Sequence, residues 1–263
     1  MVVEGLKPAD TFNHRLEFGN LWHKAEEALA EARQSAKGWF WENRLASYAQ
    51  DLAQRYPFQR EQIDHWYRMC QALFPLYVEH WSQHPDVTER TPLLQEQVFD
   101  VPFPLPAGRT VRLRGKWDSV DSVESGLYIQ ENKTKRTIDE QKIMRQLRFD
   151  LQAMLYVIAL GEHRKSGDKI VEKLLGVAPG RFANDHVLIP ICGVRYNVVR
   201  RSSHKTPESM LKKVKEDREH GRIEEWFARW DVAITPADIE TVRREGLDPI
   251  LEELCNWWHH TLG

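Results

Sequence analysis

Cysteine is scarce in this chain of 263 residues, with only Cys70, Cys192 and Cys255, far apart and odd in number. That pattern speaks against a disulfide framework and favours free thiols in a reducing cytoplasm. Long apolar runs are missing too. No stretch approaches the roughly 18 uninterrupted apolar residues of a membrane span. The N-terminus, MVVEGLKPADTF, has neither a basic flank nor an apolar centre, so it does not read as a secretory signal. An excess of basic charge is also lacking, since the formal net charge is −2. There is no internal repeat and no low-complexity run, which removes solenoids and long linkers from consideration. What remains is a chain with 41% hydrophobic residues and ten tryptophans, enough for one sizeable domain.

Periodicity gives a coarse order of elements. Residues 14–36 predict a helix. Residues 39–83 are rich in Trp and Tyr at helical spacing, broken at Pro57 and Pro75, and predict a helical lobe. Residues 93–103, 109–123 and 126–133 predict an antiparallel meander with a turn from Pro104 to Gly108. A helix is expected from about 139 to 163, strands at 186–192 and 194–201, and mostly helix over 207–262 apart from Trp230 to Pro236. The fold class expected is α/β: a mixed sheet flanked by helices. It forms a single domain over 1–263, with a helical insertion at about 39–90, a sheet core at about 92–201 and a C-terminal helical arm at about 207–262.

Three stretches carry the chemistry: Gly115-Lys116-Trp117-Asp118, Glu131-Asn132-Lys133, and Gln152 to Tyr156. If Glu124-Ser125 is a two-residue hairpin loop, Val123 pairs with Gly126 and Asp118 falls opposite Glu131. A bulge at Gly126 would slip that register by one residue. Directly opposed residues have Cβ atoms roughly 4.5–5.5 Å apart, so two carboxylates there repel unless a cation lies between them. Alternation puts Glu131 and Lys133 on one face, about 6.6 Å apart along the strand, and Asn132 on the other. Oxygen donors of this kind suit Mg²⁺ or Mn²⁺. Asp121, close by on the same predicted strand, competes with Asp118 for the ligand role. The bland reading of Glu131 and Lys133 is a solvated ion pair worth little. Gln152 and Tyr156 share a helix face but are not needed for that helix's apolar stripe.

These motifs, with Gly19-Asn20-Leu21-Trp22-His23 upstream, resemble the PD-(D/E)XK nuclease superfamily and within it the RecB-type exonuclease branch. That branch has G-x-x-x-H, G-x-x-D, (D/E)-x-K and Q-x-x-x-Y in this order. The resemblance implies that Asp118 and Glu131 ligate a metal, with His23 as a third side-chain ligand and the Asn132 carbonyl as a fourth contact. It implies that Lys133 orients the attacking water or stabilises charge on the phosphate, and that Gln152 and Tyr156 line the site. Some relatives in that branch carry an iron–sulfur cluster on four cysteines; three cysteines cannot supply one, so none is expected here.

The distribution of charge fits a nucleic-acid partner better than its sum does. Lys133, Lys135, Arg136, Lys142, Arg145 and Arg148 face only Asp139 and Glu140 within 132–148. A second basic stretch, 195–222, contains Arg200, Arg201 and Lys205, although alternating acids over 207–222 also fit a solvated helix face. The expected phosphate contacts are Arg136, Arg200, Arg201 and Lys205. The functional expectation is a Mg²⁺- or Mn²⁺-dependent exonuclease acting at single-stranded or duplex DNA ends in recombination, repair or phage DNA processing. A helicase or recombination protein is a further expected partner, and no membrane is. The alternatives are a structure-selective endonuclease and, from another class, a non-catalytic nucleic-acid-binding module with the same fold.

Overall fold

The computed structural model describes residues 12–35, 40–82, 84, 90–147, 150–165 and 190–262. Its contacts divide the chain into two compact units. The first comprises 1–88, 133–138 and 198–228, and the second 89–132, 139–197 and 229–263. A five-stranded mixed sheet runs in the order β1-β2-β3-β4-β5 and is flanked by helices. Its strands are β1 (Thr91–Pro104), β2 (Thr110–Val123), β3 (Gly126–Lys135), β4 (Ile191–Arg200) and β5 (Phe227–Ala233). The divide between units falls within β3, β4 and β5.

The first unit is built on α1 (His14–Ser35), α2 (Trp41–Arg55), α3 (Arg60–Trp81) and, later, α4 (Pro207–Glu219). Asn13 opens α1 by accepting the Arg15 and Leu16 backbone N–H groups on its side-chain oxygen. Phe18, Leu21, Trp22, Ala25 and Ala28 then recur at three- and four-residue spacing and are all buried. They pack with Trp41, Leu45, Trp66, Leu73, Phe74, Tyr77, Met210, Val214 and Trp226 in one apolar cluster. Burial of each such large side chain contributes about 1.5–3 kcal/mol, which explains where half of the ten tryptophans go. The break expected at Pro57 is present as a short 3₁₀ turn, Pro57–Gln59. The break expected at Pro75 is not, because α3 runs through it. Pro75 is exposed while Leu73, Phe74 and Tyr77 are buried, so packing on the opposite face outweighs the lost hydrogen bond.

In the second unit, β1 and β2 pair from Thr91↔Ser122 to Pro104↔Thr110, with a register shift between Pro92 and Leu94. Helix α5 (Glu140–Leu147) is followed by a separate α6 (Leu151–Lys165), which packs on β1 and β2. The single helix expected over 139–163 is therefore wrong. Asp150 restarts the helix, with its side chain accepting the Gln152 N–H at 2.9 Å and the Tyr196 hydroxyl at 3.3 Å. Of the two strands expected over 186–201, residues 186–189 lie outside the described residues, and 191–200 form one continuous strand. The non-helical stretch near Trp230 is the fifth strand. Two short helices close the chain, α7 (Pro236–Val242), with a capping box between Thr235 and Asp238, and α8 (Asp248–Leu262). No helix among the described residues is long and apolar enough to cross a membrane.

Candidate active site

The β2–β3 hairpin closes as its sequence requires. Val123 pairs with Gly126, and the ladder continues to Ser119↔Gln130. Gly126 sits at φ +146°, a conformation that favours glycine. The ladder stops there, one residue short of Asp118 and Glu131. Here the Asp118 carboxylate accepts the Asn132 backbone N–H at 2.9 Å. The side chain thus takes over a backbone donor of β3 at the point where the aspartate is displayed.

A third carboxylate lies on the other side of Asp118. The pairs Gln95↔Ser119 and Gln97↔Trp117 leave Glu96 opposite Asp118 across β1 and β2. Oxygens of Glu96 and Asp118 lie within 4.8 Å of one another. Glu96 is the only non-glycine among the described residues with positive φ, +48°, and its side chain forms an ion pair with Lys116. Strain of this kind costs of order 1–3 kcal/mol and is characteristic of functional positions. The result is a row of three acids, Glu96, Asp118 and Glu131, on three adjacent strands. Mutual repulsion in such a row is relieved by a divalent cation, and carboxylate oxygens are the donors Mg²⁺ and Mn²⁺ take. The residues present therefore fit a hard metal ion.

Asp121, the rival aspartate, is fully buried and committed elsewhere. It pairs with Arg90 at 3.0 Å and accepts the Ser119 hydroxyl. Asp118 is thus the acid displayed at the site level, and the glycine three residues before it has a packing reason. A Cβ on Gly115 would meet the Phe99 ring at 2.5 Å. That ring stacks on Trp117 at 4.4 Å and meets Tyr156 edge-on. As alternation requires, Trp117 turns away from Asp118 and packs against α6, its indole N–H donating to the Tyr156 carbonyl at 3.2 Å.

Glu131 is buried, and its Oε1 accepts the Gln152 side-chain N–H at 3.1 Å. The same amide nitrogen donates to the Tyr156 hydroxyl at 2.8 Å. Gln152 and Tyr156 are therefore brought to Glu131. Burial raises the Tyr156 pKa against the Gln152 hydrogen bond, and Glu131, Asp118 and Asp150 add to the rise, so the phenol stays protonated. The Asn132 side chain points to the opposite face, where it accepts from Gln130 at 3.1 Å and from Asn197 at 2.9 Å; the Asn197 oxygen accepts from Arg229. This buried amide network occupies the Asn132 side chain and leaves only its backbone, whose N–H donates to Asp118, between Glu131 and Lys133.

The other expected residues lie in the first unit. Lys133 follows Glu131 by two positions on β3 and is half-buried. His23 is half-buried on α1, four residues after Gly19. A Cβ on Gly19 would meet Thr134 Oγ1 at 3.3 Å, so glycine lets α1 come close to the end of β3. Arg200 lies over the Trp226 ring at 4.8 Å and pairs with Glu225 at 3.5 Å. Arg201 donates to the Arg15 carbonyl at 3.4 Å, while Arg136 and Lys205 are exposed. Sequence reasoning missed Glu96 and Asp150. Carrying the β1–β2 register back from the Pro104–Gly108 turn would have reached Glu96; Asp150 announced itself only as an N-cap residue before Gln152.

No curated protein matches this chain significantly. A family model, that of the PD-(D/E)XK nuclease superfamily, matches residues 2–255, nearly the whole chain. On that match the chain belongs to the PD-(D/E)XK nuclease superfamily, whose members use divalent metals to cleave nucleic acids.

Proposed function

We propose that this nuclease is a Mg²⁺- or Mn²⁺-dependent DNA exonuclease of the RecB-type branch. The observation that carries the catalytic reading is the row Glu96, Asp118 and Glu131, with Lys133 two residues beyond on the same strand. Asp118 and Glu131 are the principal metal ligands. Glu96 adds a third carboxylate, and His23 and the Asn132 carbonyl are further donors on the family pattern. The bound metal acts as a Lewis acid and lowers the pKa of a water. Gln152 holds the Glu131 carboxylate in one orientation. Tyr156 offers a neutral hydroxyl. The Lys133 ammonium is a point charge suited to the negative charge that builds on the scissile phosphate. Arg136, Arg201 and Lys205 hold DNA phosphates; Arg200, already stacked and paired, has a smaller share.

The exonuclease reading rests on the G-x-x-x-H and Q-x-x-x-Y motifs of that branch. Three free thiols fit a reducing cytoplasm, and DNA ends exposed by a helicase or recombination protein are the substrate this reading implies. End-labelled linear DNA and covalently closed circles, each incubated with Mg²⁺, Mn²⁺ or EDTA, test it. Linear DNA should shorten from its ends only with metal while closed circles survive. Nicking of closed circles as fast as linear DNA is shortened would replace the exonuclease with a structure-selective endonuclease.

A further inference from the structure

The first unit contains a cavity of about 660 Å³ lined by His14, Phe58, Gln59, Glu61, His65, Trp66, His204 and Lys205, among others. Its size falls within the roughly 300–1,000 Å³ of small-ligand pockets. Three features set it apart from a packing defect. Phe58, on the 3₁₀ turn after Pro57, is 97% exposed and so offers a bare ring at the rim. Trp66 is 6% exposed, yet its indole N–H has no hydrogen-bond partner among the described residues. Three imidazoles line the wall. His14 lies parallel to Trp66 with centroids 6.1 Å apart, and His65 meets Trp66 edge-on at 4.7 Å. Burial lowers the His65 pKa against the pull of Asp64, which favours the neutral ring.

Polar groups complete the lining in a pattern suited to a base edge. Gln59 and Gln62 carry amides that donate and accept, Glu61 accepts, and Lys205 supplies a cation. Close by in sequence, Arg15 follows His14 and Arg201 precedes the Ser203-His204-Lys205 wall. Arg201 donates to the Arg15 carbonyl, and none of Arg15, Arg136 and Arg201 forms an ion pair with a carboxylate among the described residues. Burial lowers the Arg201 pKa, and the charges of Arg15 and Arg136 lower it further, as expected where guanidinium groups crowd without an anion.

We propose that this cavity receives one unpaired nucleobase of a single-stranded DNA end, stacked against Phe58, with the flanking phosphates held by Lys205 and by Arg15, Arg136 and Arg201. Base–aromatic stacking tolerates any sequence, and guanidinium and ammonium groups track the backbone. The proposal deepens the nuclease reading by naming single-stranded DNA as the form gripped, and rests on that reading for its substrate.

The test is binding of a fluorescein-labelled oligothymidylate and of a blunt duplex of equal length, followed by anisotropy in EDTA so that no cleavage intervenes. Metal-dependent cleavage by the wild type is assayed separately. Phe58→Ala and Lys205→Ala should each weaken oligothymidylate binding by about tenfold. Phe58→Ala should bind blunt duplex unchanged. Circular dichroism confirms that each variant is folded. Equal oligothymidylate binding by wild type and Phe58→Ala overturns the pocket and leaves the nuclease reading intact. Loss of wild-type cleavage in every metal, with the pocket effects present, overturns the nuclease reading and leaves the pocket standing as a single-strand binding site.

Discussion

The helical unit and the sheet unit bury very different things. Around α1, α2 and α3 the interior is aromatic and aliphatic, with Trp22, Trp41, Phe74 and Tyr77 linked ring to ring. The centre of the sheet in the second unit buries Ser119, Asp121, Gln130, Glu131, Asn132, Arg195 and Asn197. Apolar burial stabilises without demanding partners. Each buried polar group must instead be satisfied or it costs about 1–3 kcal/mol. The second unit meets that demand in part, with short networks such as Gln130–Asn132–Asn197–Arg229 and Ser119–Asp121–Arg90, while the buried Gln130 Oε1 has no hydrogen-bond partner among the described residues. Beside these networks it sets three carboxylates, Glu96, Asp118 and Glu131, on three adjacent strands. One region is organised for stability, the other tolerates the repulsion of neighbouring carboxylates.

The sharpest way to break that contrast is to remove the repulsion. Asp118→Asn and Glu131→Gln keep acceptor oxygens for the Asn132 and Gln152 donors while deleting charge. Each should lower DNA cleavage by orders of magnitude, yet leave the metal-free melting temperature equal to or above that of the wild type. A clear fall in metal-free stability would mean the row is structural. Lys133→Ala should lower cleavage by about 10²-fold or more without changing stability, measured by single-turnover kinetics beside thermal melts. Glu96→Gln should cost less and be partly rescued by raised Mn²⁺, since two carboxylates remain.

One of the buried acids of the helical unit is the next target. Asp217 is buried and accepts from Lys213, Arg222 and the Trp226 indole. Burial opposes its ionisation, but the hydrogen bonds from Trp226, Arg222 and Lys213 outweigh it and hold the carboxyl below its ordinary range. Asp217→Asn should therefore destabilise by about 3 kcal/mol in urea melts near neutral pH. A carboxyl depressed in the folded state contributes fully above its ordinary pKa of 3.8 and loses that contribution as pH falls through the folded value. The gap between wild type and Asp217→Asn should accordingly close on acidification below that point. A gap independent of pH would show that packing, rather than charge, keeps Asp217 in place.

Gly115→Ala should cost about 1–3 kcal/mol, because its Cβ runs into the Phe99 ring packed on Trp117, and Phe99→Leu should recover part of the loss. The smallest effect is on salt dependence. Arg201→Ala should reduce the slope of log binding constant against log salt by roughly 0.7 on single strands or 0.9 on duplex. Arg200→Ala should change it less, because that guanidinium is already stacked on Trp226.

Much of the site was legible beforehand because hairpins are local. A two-residue loop at Glu124-Ser125 determines the register, so Asp118 opposite Glu131 follows from counting, and alternation places Lys133 with Glu131 and sends Trp117 the other way. Helical spacing likewise determined α1 and most of α3. Glu96 was not legible without the longer β1–β2 register, and β1 contains a shift near Pro92 and a residue at positive φ that alternation alone does not reveal. Asp118 and Asp121 are three residues apart on β2, so alternation alone sends them to opposite faces; Asp121 lies with Ser119 and pairs with Arg90, 31 residues away. The restart of the helix at Asp150 depends on a hydroxyl from Tyr196, 46 residues on. The sequence by itself determined what neighbours along the chain impose, through hairpin register, helical period and caps. Only the tertiary structure decided which acids are neutralised by distant partners and which stand together, because the energy of a charge depends on everything near it in space.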